Sequence, residues 1–186
     1  MLASGSAYRK ALLERLGLRF EIFSPDVDEQ PLAGESPADS ALRLSVLKAR
    51  AAPQRDALVI GSDQVASSGG KRYGKPGNHE NAARQLRQLS GRVVDFHTAV
   101  TLLDSRNNHS ESRVVLCRVE FRKLDEQRVQ AYLLREKPYD CTAAAKAEGL
   151  GIALIARIDT EDPSSLIGLP LIALTGMLER AGLRVL

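Results

Sequence analysis

The sequence has few aromatic residues and almost no cysteine. It contains no tryptophan, four tyrosines and four phenylalanines among 186 residues, so the core must be built from leucine, valine, isoleucine and alanine. Its two cysteines, Cys117 and Cys141, form no CxxC pair and lie near no pair of histidines. A zinc site or a disulfide framework therefore has little support, and we expect two reduced, buried thiols.

Charge of one sign and long hydrophobic runs are lacking as well. The 26 lysines and arginines against 23 acidic residues leave a formal net charge of +3, and the basic residues are spread along the chain, so no nucleic-acid partner is predicted. The sequence has no run of about 18 apolar residues and no secretory signal pattern at its start. We therefore expect a cytoplasmic protein with no membrane partner. The GxSxG, Walker A and HExxH motifs are absent too, which excludes the enzyme classes that depend on them.

Helix signals are the clearest local feature of what is present. Ser4-Gly5-Ser6 follows a short strand and can cap a helix that ends near Gly17. Ser36-Pro37 opens a second helix that ends before Pro53. Three later helices are predicted over residues 79–89, 125–135 and 171–181.

Strand signals lie between these helices. The apolar run 57–60 predicts a buried central strand whose C-terminal end delivers Gly61-Ser62-Asp63-Gln64, and open α/β sheets bind ligands at that end. Gly69-Gly70 predicts a hairpin turn. Further strands are predicted over residues 93–103 and 113–122, joined as an antiparallel hairpin, and over 152–158. The predicted fold is one α/β domain over residues 1–186, with a mixed twisted sheet, flanking helices and two lobes around a cleft.

The start of the first helix is a candidate phosphate site. Free N–H groups, the hydroxyls of Ser4 and Ser6 and the guanidinium of Arg9 can hold phosphate through the helix dipole, hydrogen bonds and a planar cation. The same Ser-Gly-Ser turn is equally consistent with a plain helix cap. Lys10 could also contact phosphate, although a lysine at such a position is more often solvated. The residues alone leave these interpretations open.

Two acidic residues are candidates for proton and metal chemistry. Asp63 follows an apolar strand, where a carboxylate must be hydrogen-bonded, paired or bound to metal. Glu29 lies in an acidic loop, where solvation is the ordinary state. Together two such carboxylates could hold Mg²⁺ or Mn²⁺. Lys48 and Lys75 would balance the charge of these carboxylates. The alternative for Lys48 is a surface lysine whose ammonium reaches solvent. Lys75 lies in the rigid turn Gly74-Lys75-Pro76, which would orient its side chain.

Eight short motifs follow one another along nearly the whole chain. They are Ser4-Gly5-Ser6-Ala7-Tyr8-Arg9-Lys10, Val27-Asp28-Glu29, Leu47-Lys48-Ala49, Gly61-Ser62-Asp63-Gln64-Val65, Gly74-Lys75-Pro76, Ser90-Gly91, Glu148-Gly149 and Gly168-Leu169-Pro170-Leu171. In this order they resemble the Maf family of nucleoside triphosphate pyrophosphatases. The resemblance implies the fold of inosine-triphosphate pyrophosphatases, hydrolysis of a nucleoside triphosphate to the monophosphate and pyrophosphate, and a divalent cation. By position it implies Asp63 as proton acceptor, with Ser4, Arg9, Glu29, Lys48 and Lys75 around metal and phosphates.

Three positions resemble the branch of that family that acts on 7-methyl-GTP rather than on dTTP and UTP. Tyr8 stands where this branch has an aromatic residue, and Gln64 and Glu148 lie in stretches that match it. N7-methylation makes guanine cationic, so an aromatic face gains a cation–π contribution, and a carboxylate can accept hydrogen bonds from the guanine N1 and N2 donors. The resemblance thus implies that these residues select the base. The alternatives are hydrolysis of dTTP or UTP, and a nucleotide-binding regulator of cell division with weak catalysis.

The sequence departs from the family pattern at four places, namely Ala7, Tyr8, Lys10 and the pair Thr142-Ala143. Ala143 stands where glycine is usual, so we expect its methyl group to limit φ freedom or backbone approach beside the base pocket. The sequence leaves formation of a homodimer open.

Overall fold

The chain forms five α-helices and seven strands within its described residues, with the third and fourth strands, and the fifth and sixth, following each other directly. The computed structural model describes residues 1–53 and 56–186. The strands are β1 (Leu2–Ala3), β2 (Ile22–Phe23), β3 (Leu58–Ser68), β4 (Lys71–Tyr73), β5 (Val93–Asp104), β6 (His109–Phe121) and β7 (Ile155–Thr160). The helices are α1 (Ala7–Glu14), α2 (Pro37–Ala51), α3 (His79–Leu89), α4 (Glu126–Glu136) and α5 (Leu171–Arg180), with 3₁₀ turns at Thr142–Ala144, Leu150–Leu154 and Pro163–Ile167.

Side-chain caps explain where four of the helices begin. The side chains of Ser6, Ser36, Asn78 and Asp125 each accept a hydrogen bond from a backbone N–H in the first turn of the helix that follows. Each cap satisfies a donor that the helix itself leaves unpaired. All five predicted helices are present, with α1 ending at Glu14, a little before the predicted Gly17. Among the described residues, no helix is long and apolar enough to span a membrane.

The strands form one mixed sheet in the order β2-β1-β3-β5-β6-β7, with β4 paired to β3. Strand β1 is parallel to both β2 and β3, whereas the β3–β4 and β6–β7 pairs are antiparallel. Residues 105–108 alone join the neighbouring strands β5 and β6. Because so short a connection cannot make a parallel crossover, these strands form the predicted antiparallel hairpin. The predicted α/β class with a mixed sheet is confirmed.

The chain divides into two compact units, in agreement with the two expected lobes. Unit 1 comprises residues 1–64, 97–115 and 162–186, and unit 2 comprises residues 65–96 and 116–161. Unit 1 has a core of aliphatic side chains and one methionine, as the composition predicts: Leu2, Leu12, Leu13, Ile60, Val100, Leu102, Leu169, Leu174, Met177 and Leu178.

Both cysteines are free and buried, as expected. Burial raises the pKa of the Cys117 thiol to about 11, so this side chain stays protonated at neutral pH. Cys117 therefore acts as a small apolar residue of unit 2.

The predicted end of the central strand is wrong. Strand β3 does not stop after Ile60 but continues to Ser68, so Asp63 lies inside a strand rather than beyond its end. The strand tolerates polar residues because the protein satisfies them. The hydroxyl of Ser62 lies 2.8 and 2.9 Å from the carbonyl oxygens of Ala99 and Gly168, and such partners remove the cost of burying a hydroxyl.

The predicted last strand also begins too early. Residues 152–154 belong to a 3₁₀ turn, and β7 starts at Ile155. The N–H of Ile152 donates to the carbonyl oxygen of Gly149 at 3.3 Å, and the N–H of Ile155 donates to that of Ile152, which are the i→i+3 bonds of a 3₁₀ turn.

Candidate active site

Lys48, Asp63 and Glu29 form a charged cluster in unit 1. The Nζ atom of Lys48 lies 2.6 Å from Oδ1 of Asp63 and 2.6 Å from Oε1 of Glu29. Lys48 and Asp63 are 6% and 7% exposed, whereas the side chain of Glu29 is 60% exposed. A buried carboxylate is costly unless it is paired, and Lys48 supplies the compensating charge for Asp63. The alternative of a surface lysine is therefore wrong for Lys48, because its ammonium is buried.

Gly61 explains how Lys48 reaches Asp63. A Cβ atom at residue 61 would lie 2.1 Å from the carbonyl oxygen of Ser45 and 2.7 Å from the backbone nitrogen of Ala49. Only glycine therefore lets α2 pack this closely on β3. Lys48 lies in the same stretch of α2, and Asp63 is two residues beyond Gly61, on the same face of the strand.

Parallel pairing of β1 with β2 and β3 brings the segments that contain Ser4 and Glu29 to the same edge of the sheet. Ala3 pairs with both Phe23 and Gly61, so the segments that leave β1 and β2 begin at the same level of the sheet. Ser4 directly follows β1, and Glu29 lies in the segment that follows β2. Carboxyl ends of parallel strands are the usual ligand-binding edge of such sheets.

Arg43 ties the loop that carries Glu29 to the helix that carries Lys48. Its guanidinium donates to the carbonyl oxygen of Gln30 at 3.0 Å and pairs with the carboxylate of Glu35 at 2.6 Å. The Arg43 guanidinium lowers the pKa of Glu35 to about 2. Glu35 therefore stays ionised at neutral pH and keeps this tether in place.

Arg9 is held in one orientation by two contacts. Its Nε donates to the carbonyl oxygen of Gly168 at 2.8 Å, and its Nη1 donates to the hydroxyl of Ser4 at 3.2 Å. Burial lowers the pKa of Arg9, and the nearby charges of Asp63 and Glu29 oppose that shift. An arginine remains charged at neutral pH even so. Arg9 therefore adds a fixed, planar cation beside the Lys48 cluster.

The hydroxyl of Ser6 acts as a helix cap. It accepts the N–H of Arg9 at 3.4 Å, which is the structural interpretation that the sequence left open. A contact between the Ser6 hydroxyl and phosphate remains a prediction from the sequence. Lys10 is exposed and lies 3.7 Å from Glu14, which is the solvated arrangement expected of a surface lysine.

Gln64 is anchored inside unit 1 through its amide nitrogen. This atom lies 3.0 Å from the hydroxyl of Thr98, 3.0 Å from the carbonyl oxygen of Ser165 and 3.1 Å from that of Leu166. An amide group has only two N–H donors, so these acceptors occupy both. If Gln64 contacts a base, it does so as an acceptor through its amide oxygen. Tyr8 lies half-buried on α1, directly before Arg9.

Lys75 and Glu148 belong to unit 2, and both are exposed. Lys75 lies in the turn between β4 and α3, where the carbonyl oxygen of Gly74 accepts a hydrogen bond from the N–H of Ala143 at 3.2 Å. Ala143 has φ 58° and ψ 20°, so it adopts the left-handed conformation that glycine favours. The expectation that the backbone at residue 143 is one where alanine is less favourable than glycine is therefore confirmed. The roles of Lys75 and Glu148 toward a nucleotide stay predictions.

The carboxylates fit a divalent cation. No group of three or more histidine, cysteine, aspartate or glutamate side chains suited to a metal occurs in residues 1–53 and 56–186. Glu29 and Asp63 nevertheless converge on one cation, the Lys48 ammonium. Mg²⁺ in enzymes that act on phosphates is bound through one or two carboxylates, with waters and phosphate oxygens as its other ligands. Glu29 and Asp63 are enough for such a site.

Sequence reasoning missed the residues that support Arg9 and Gln64. Ser62 and Thr98 contact carbonyl oxygens of the segment 165–168, to which Arg9 and Gln64 are also bound. Thr98 alone gives no distinct signal, because β5 also contains Asp95, His97, Thr101 and Asp104. Its partner could not be identified, because it lies 67 positions away in the chain.

Comparison with known proteins gives a consistent result over the whole chain. The family described as "Maf-like protein" matches residues 1–181. A protein of Cupriavidus pinatubonensis named 7-methyl-GTP pyrophosphatase is 54% identical over 98% of this chain and 92% of its own length. A protein of Thiobacillus denitrificans with the same name is 54% identical over 100% of this chain and 94% of its own length. Another, from Burkholderia orbicola, is 55% identical over 97% of this chain and 89% of its own length.

Proposed function

Because the chain belongs to the Maf-like protein family, we propose that it hydrolyses 7-methyl-GTP to 7-methyl-GMP and pyrophosphate. The observation that carries the proposal is the buried Lys48–Asp63 pair with Glu29 and Arg9 beside it. Such a cluster offers a carboxylate for the attacking water and cations for a triphosphate. The shared name of three relatives that are 54–55% identical supports the choice of base.

Asp63 is the proton acceptor of the proposed reaction. The oxygen of a water molecule forms a bond to the α-phosphorus and gives a proton to the Asp63 carboxylate. The bond between the α-phosphorus and the oxygen bridging to the β-phosphate breaks, and pyrophosphate leaves. The α-phosphate stays on the nucleoside monophosphate, so one water molecule is consumed in each turnover.

Lys48 and Arg9 stabilise negative charge on the phosphates. In the free protein the ammonium of Lys48 is bound by two carboxylates, and the oxygens of a triphosphate are competing acceptors for it. Moving toward phosphate, Lys48 would release Asp63 to accept the proton. Arg9, oriented by Gly168 and Ser4, adds a planar donor group of the kind that recognises phosphate. Lys75 is a further phosphate ligand in this proposal, and Ser4 and Ser6 lie at the start of α1, where phosphate is favoured.

Glu29 and Asp63 are the residues that would hold Mg²⁺ or Mn²⁺, which when bound neutralises charge on phosphate oxygens and orients them. Glu29 suits this part because its side chain is 60% exposed. Its carboxylate can thus turn toward a ligand that arrives with the nucleotide.

Three residues give the proposed preference for methylated guanine. Tyr8 supplies an aromatic face to the cationic ring, and Glu148 accepts from the N1 and N2 donors of guanine. Gln64 contributes its amide oxygen, since its nitrogen is held by Thr98, Ser165 and Leu166. Uracil and thymine lack both the positive charge and the paired donors.

A product assay tests the reaction and the substrate together. The purified protein is incubated with 7-methyl-GTP, GTP, dTTP or UTP in the presence of Mg²⁺ or Mn²⁺, and the products are separated by chromatography. We expect 7-methyl-GMP and pyrophosphate, with the highest kcat/KM for 7-methyl-GTP. A diphosphate and orthophosphate as first products would overturn the reaction, and a higher kcat/KM for UTP or dTTP would overturn the substrate. Binding without turnover would favour the regulator.

A further inference from the structure

The loop that carries Glu148 is attached to helix α4 on both sides of that residue. Two attachment points lie at Lys146 and Leu150, two positions before and two positions after Glu148. Their partners are Tyr132 and Glu136, which are four positions apart on α4 and therefore lie on one face of the helix. All five residues belong to unit 2.

Glu136 binds the loop on both sides of Glu148. Its Oε2 accepts the backbone N–H of Leu150 at 2.6 Å, and its Oε1 pairs with Nζ of Lys146 at 2.7 Å. The carboxylate is so close to the loop that a Cβ atom at Gly149 would lie 2.7 Å from Oε2. Lys146 and the N–H of Leu150 lower the pKa of Glu136, so the group accepts these bonds as a carboxylate at neutral pH.

Tyr132 binds the part of the loop that precedes Glu148. Its hydroxyl donates to the carbonyl oxygen of Ala144 at 2.9 Å and accepts the N–H of Lys146 at 3.1 Å. The tyrosine is 5% exposed, so its hydroxyl has these backbone groups as partners in place of water. The bonds fix the chain immediately after the left-handed residues Ala143 and Ala144, whose φ angles are 58° and 54°.

We infer that Tyr132 and Glu136 are positioning residues for base selection, which act by fixing the backbone on either side of Glu148. The inference rests on the base-reading role proposed for Glu148. That side chain is exposed, so the backbone on either side of it sets where its carboxylate can reach. A side chain discriminates between bases only when its supporting backbone is held to within a fraction of an ångström. Tyr132 and Glu136 supply that support without touching the nucleotide.

Three variants separate the positioning role from a general structural one. Tyr132→Phe removes only the hydroxyl, Glu136→Ala removes both contacts of the carboxylate, and Glu136→Gln keeps an oxygen for Leu150 but loses the ion pair with Lys146. The matched control is Glu126→Gln, which changes an exposed acid on the same helix whose partners are Arg87 and Gln130.

The measured quantity is the ratio of kcat/KM for 7-methyl-GTP to kcat/KM for UTP. We expect Tyr132→Phe and Glu136→Ala to lower this ratio about five- to tenfold, as the loss of one or two hydrogen bonds implies, with a smaller loss for Glu136→Gln. Turnover of UTP and the ratio in Glu126→Gln should stay within about twofold of wild type. Amide hydrogen exchange at Lys146 and Leu150 should become faster in the two stronger variants.

Combination with Glu148→Gln shows whether the effect passes through Glu148. In the Glu148→Gln background the loss of ratio caused by Glu136→Ala should disappear. If both substrates lose activity in the same proportion, or if the ratio is unchanged although Glu148→Gln lowers it, the positioning inference is wrong and the proposed function stands. If Glu148→Gln does not lower the ratio, the base-reading role of Glu148 is wrong and the inference falls with it.

Discussion

The ammonium of Lys48 lies 2.6 Å from the carboxylate of Asp63, and both groups are buried. This contact depends on a residue that carries no side chain, because Gly61 lets α2 approach β3 to a distance that any Cβ atom would prevent. In the free protein, Asp63, the general base of the proposed reaction, is thus held in an ion pair with Lys48. Binding of a triphosphate would exchange one acceptor of Lys48 for another.

Removal of the Lys48 charge should destabilise the protein strongly. Lys48→Met leaves the buried Asp63 carboxylate without its partner, so we expect the free energy of unfolding to fall by about 3–5 kcal/mol. The matched control is Lys10→Met, which breaks an exposed pair with Glu14 and should cost less than about 1 kcal/mol. Urea denaturation at neutral pH measures both values. Equal losses in the two variants would show that the Lys48–Asp63 pair is not a buried charge pair in solution.

Gly61→Ala should be destabilising, because the new methyl group would overlap backbone atoms of α2. A Cβ atom 2.1 Å from the carbonyl oxygen of Ser45 forces the helix away from the strand, at a cost of at least about 2 kcal/mol. Gly176→Ala is the control: it lies inside α5 and meets only the end of the Arg180 side chain. It should stabilise by up to about 1 kcal/mol. Thermal unfolding of both variants tests this, and a Gly61→Ala protein as stable as wild type contradicts the packing.

Ala143→Gly should stabilise the protein. Ala143 holds φ 58°, a conformation that costs an L-residue about 1 kcal/mol or more, and glycine removes that cost while adding entropy to the unfolded chain. We expect a net gain of up to about 1 kcal/mol. Ala145→Gly, at φ −105°, should instead lose stability. Chemical denaturation of the pair gives the comparison, and a loss in both variants would mean that the conformation at Ala143 is not strained.

Tyr8→Ala should weaken the preference for a methylated base. The cation–π contribution of an aromatic face is about 0.5–2 kcal/mol, so the ratio of kcat/KM for 7-methyl-GTP to that for GTP should fall by about two- to thirtyfold. Tyr8→Phe retains an aromatic ring and should keep most of the preference. A ratio that is unchanged in Tyr8→Ala would place Tyr8 outside the base site.

Local chemistry made the helices predictable, whereas the contacts of the site depend on distant segments. The caps Ser36, Asn78 and Asp125 lie next to the turns they stabilise, so they can be read along the chain. The continuation of β3 beyond Ile60 could not be predicted, because the partners of Ser62 and Gln64 come from residues 98–99 and 165–168.

The candidate residues themselves were predictable as members of ordered motifs, and so was the role of Lys48 in balancing the carboxylate charges, but the direct contact between Lys48 and Asp63 was not. Asp63 and Lys48 were placed at one site by charge balance and by their resemblance to family positions, and nothing in their spacing of 15 residues indicates a direct bond. That bond follows from the packing of α2 on β3. The anchoring of the Gln64 amide nitrogen, which restricts this residue to an acceptor, follows from the tertiary structure in the same way.

The most direct test of the account is the turnover of Asp63→Asn. The substitution keeps the size of the side chain and removes its ability to accept the proton of water. Its control is Asp95→Asn, which removes a carboxylate from an ion pair with Arg118 whose two side chains are more than a third exposed. Circular dichroism and urea denaturation establish that each variant is folded under the assay conditions.

The measurement is kcat for 7-methyl-GTP with saturating Mg²⁺ or Mn²⁺, with formation of 7-methyl-GMP and pyrophosphate as the readout. Loss of the general base should lower kcat by about 10²–10⁴ in Asp63→Asn, while Asp95→Asn retains wild-type turnover. A folded Asp63→Asn protein that keeps more than about a tenth of the wild-type kcat would contradict the assignment of Asp63 as the general base.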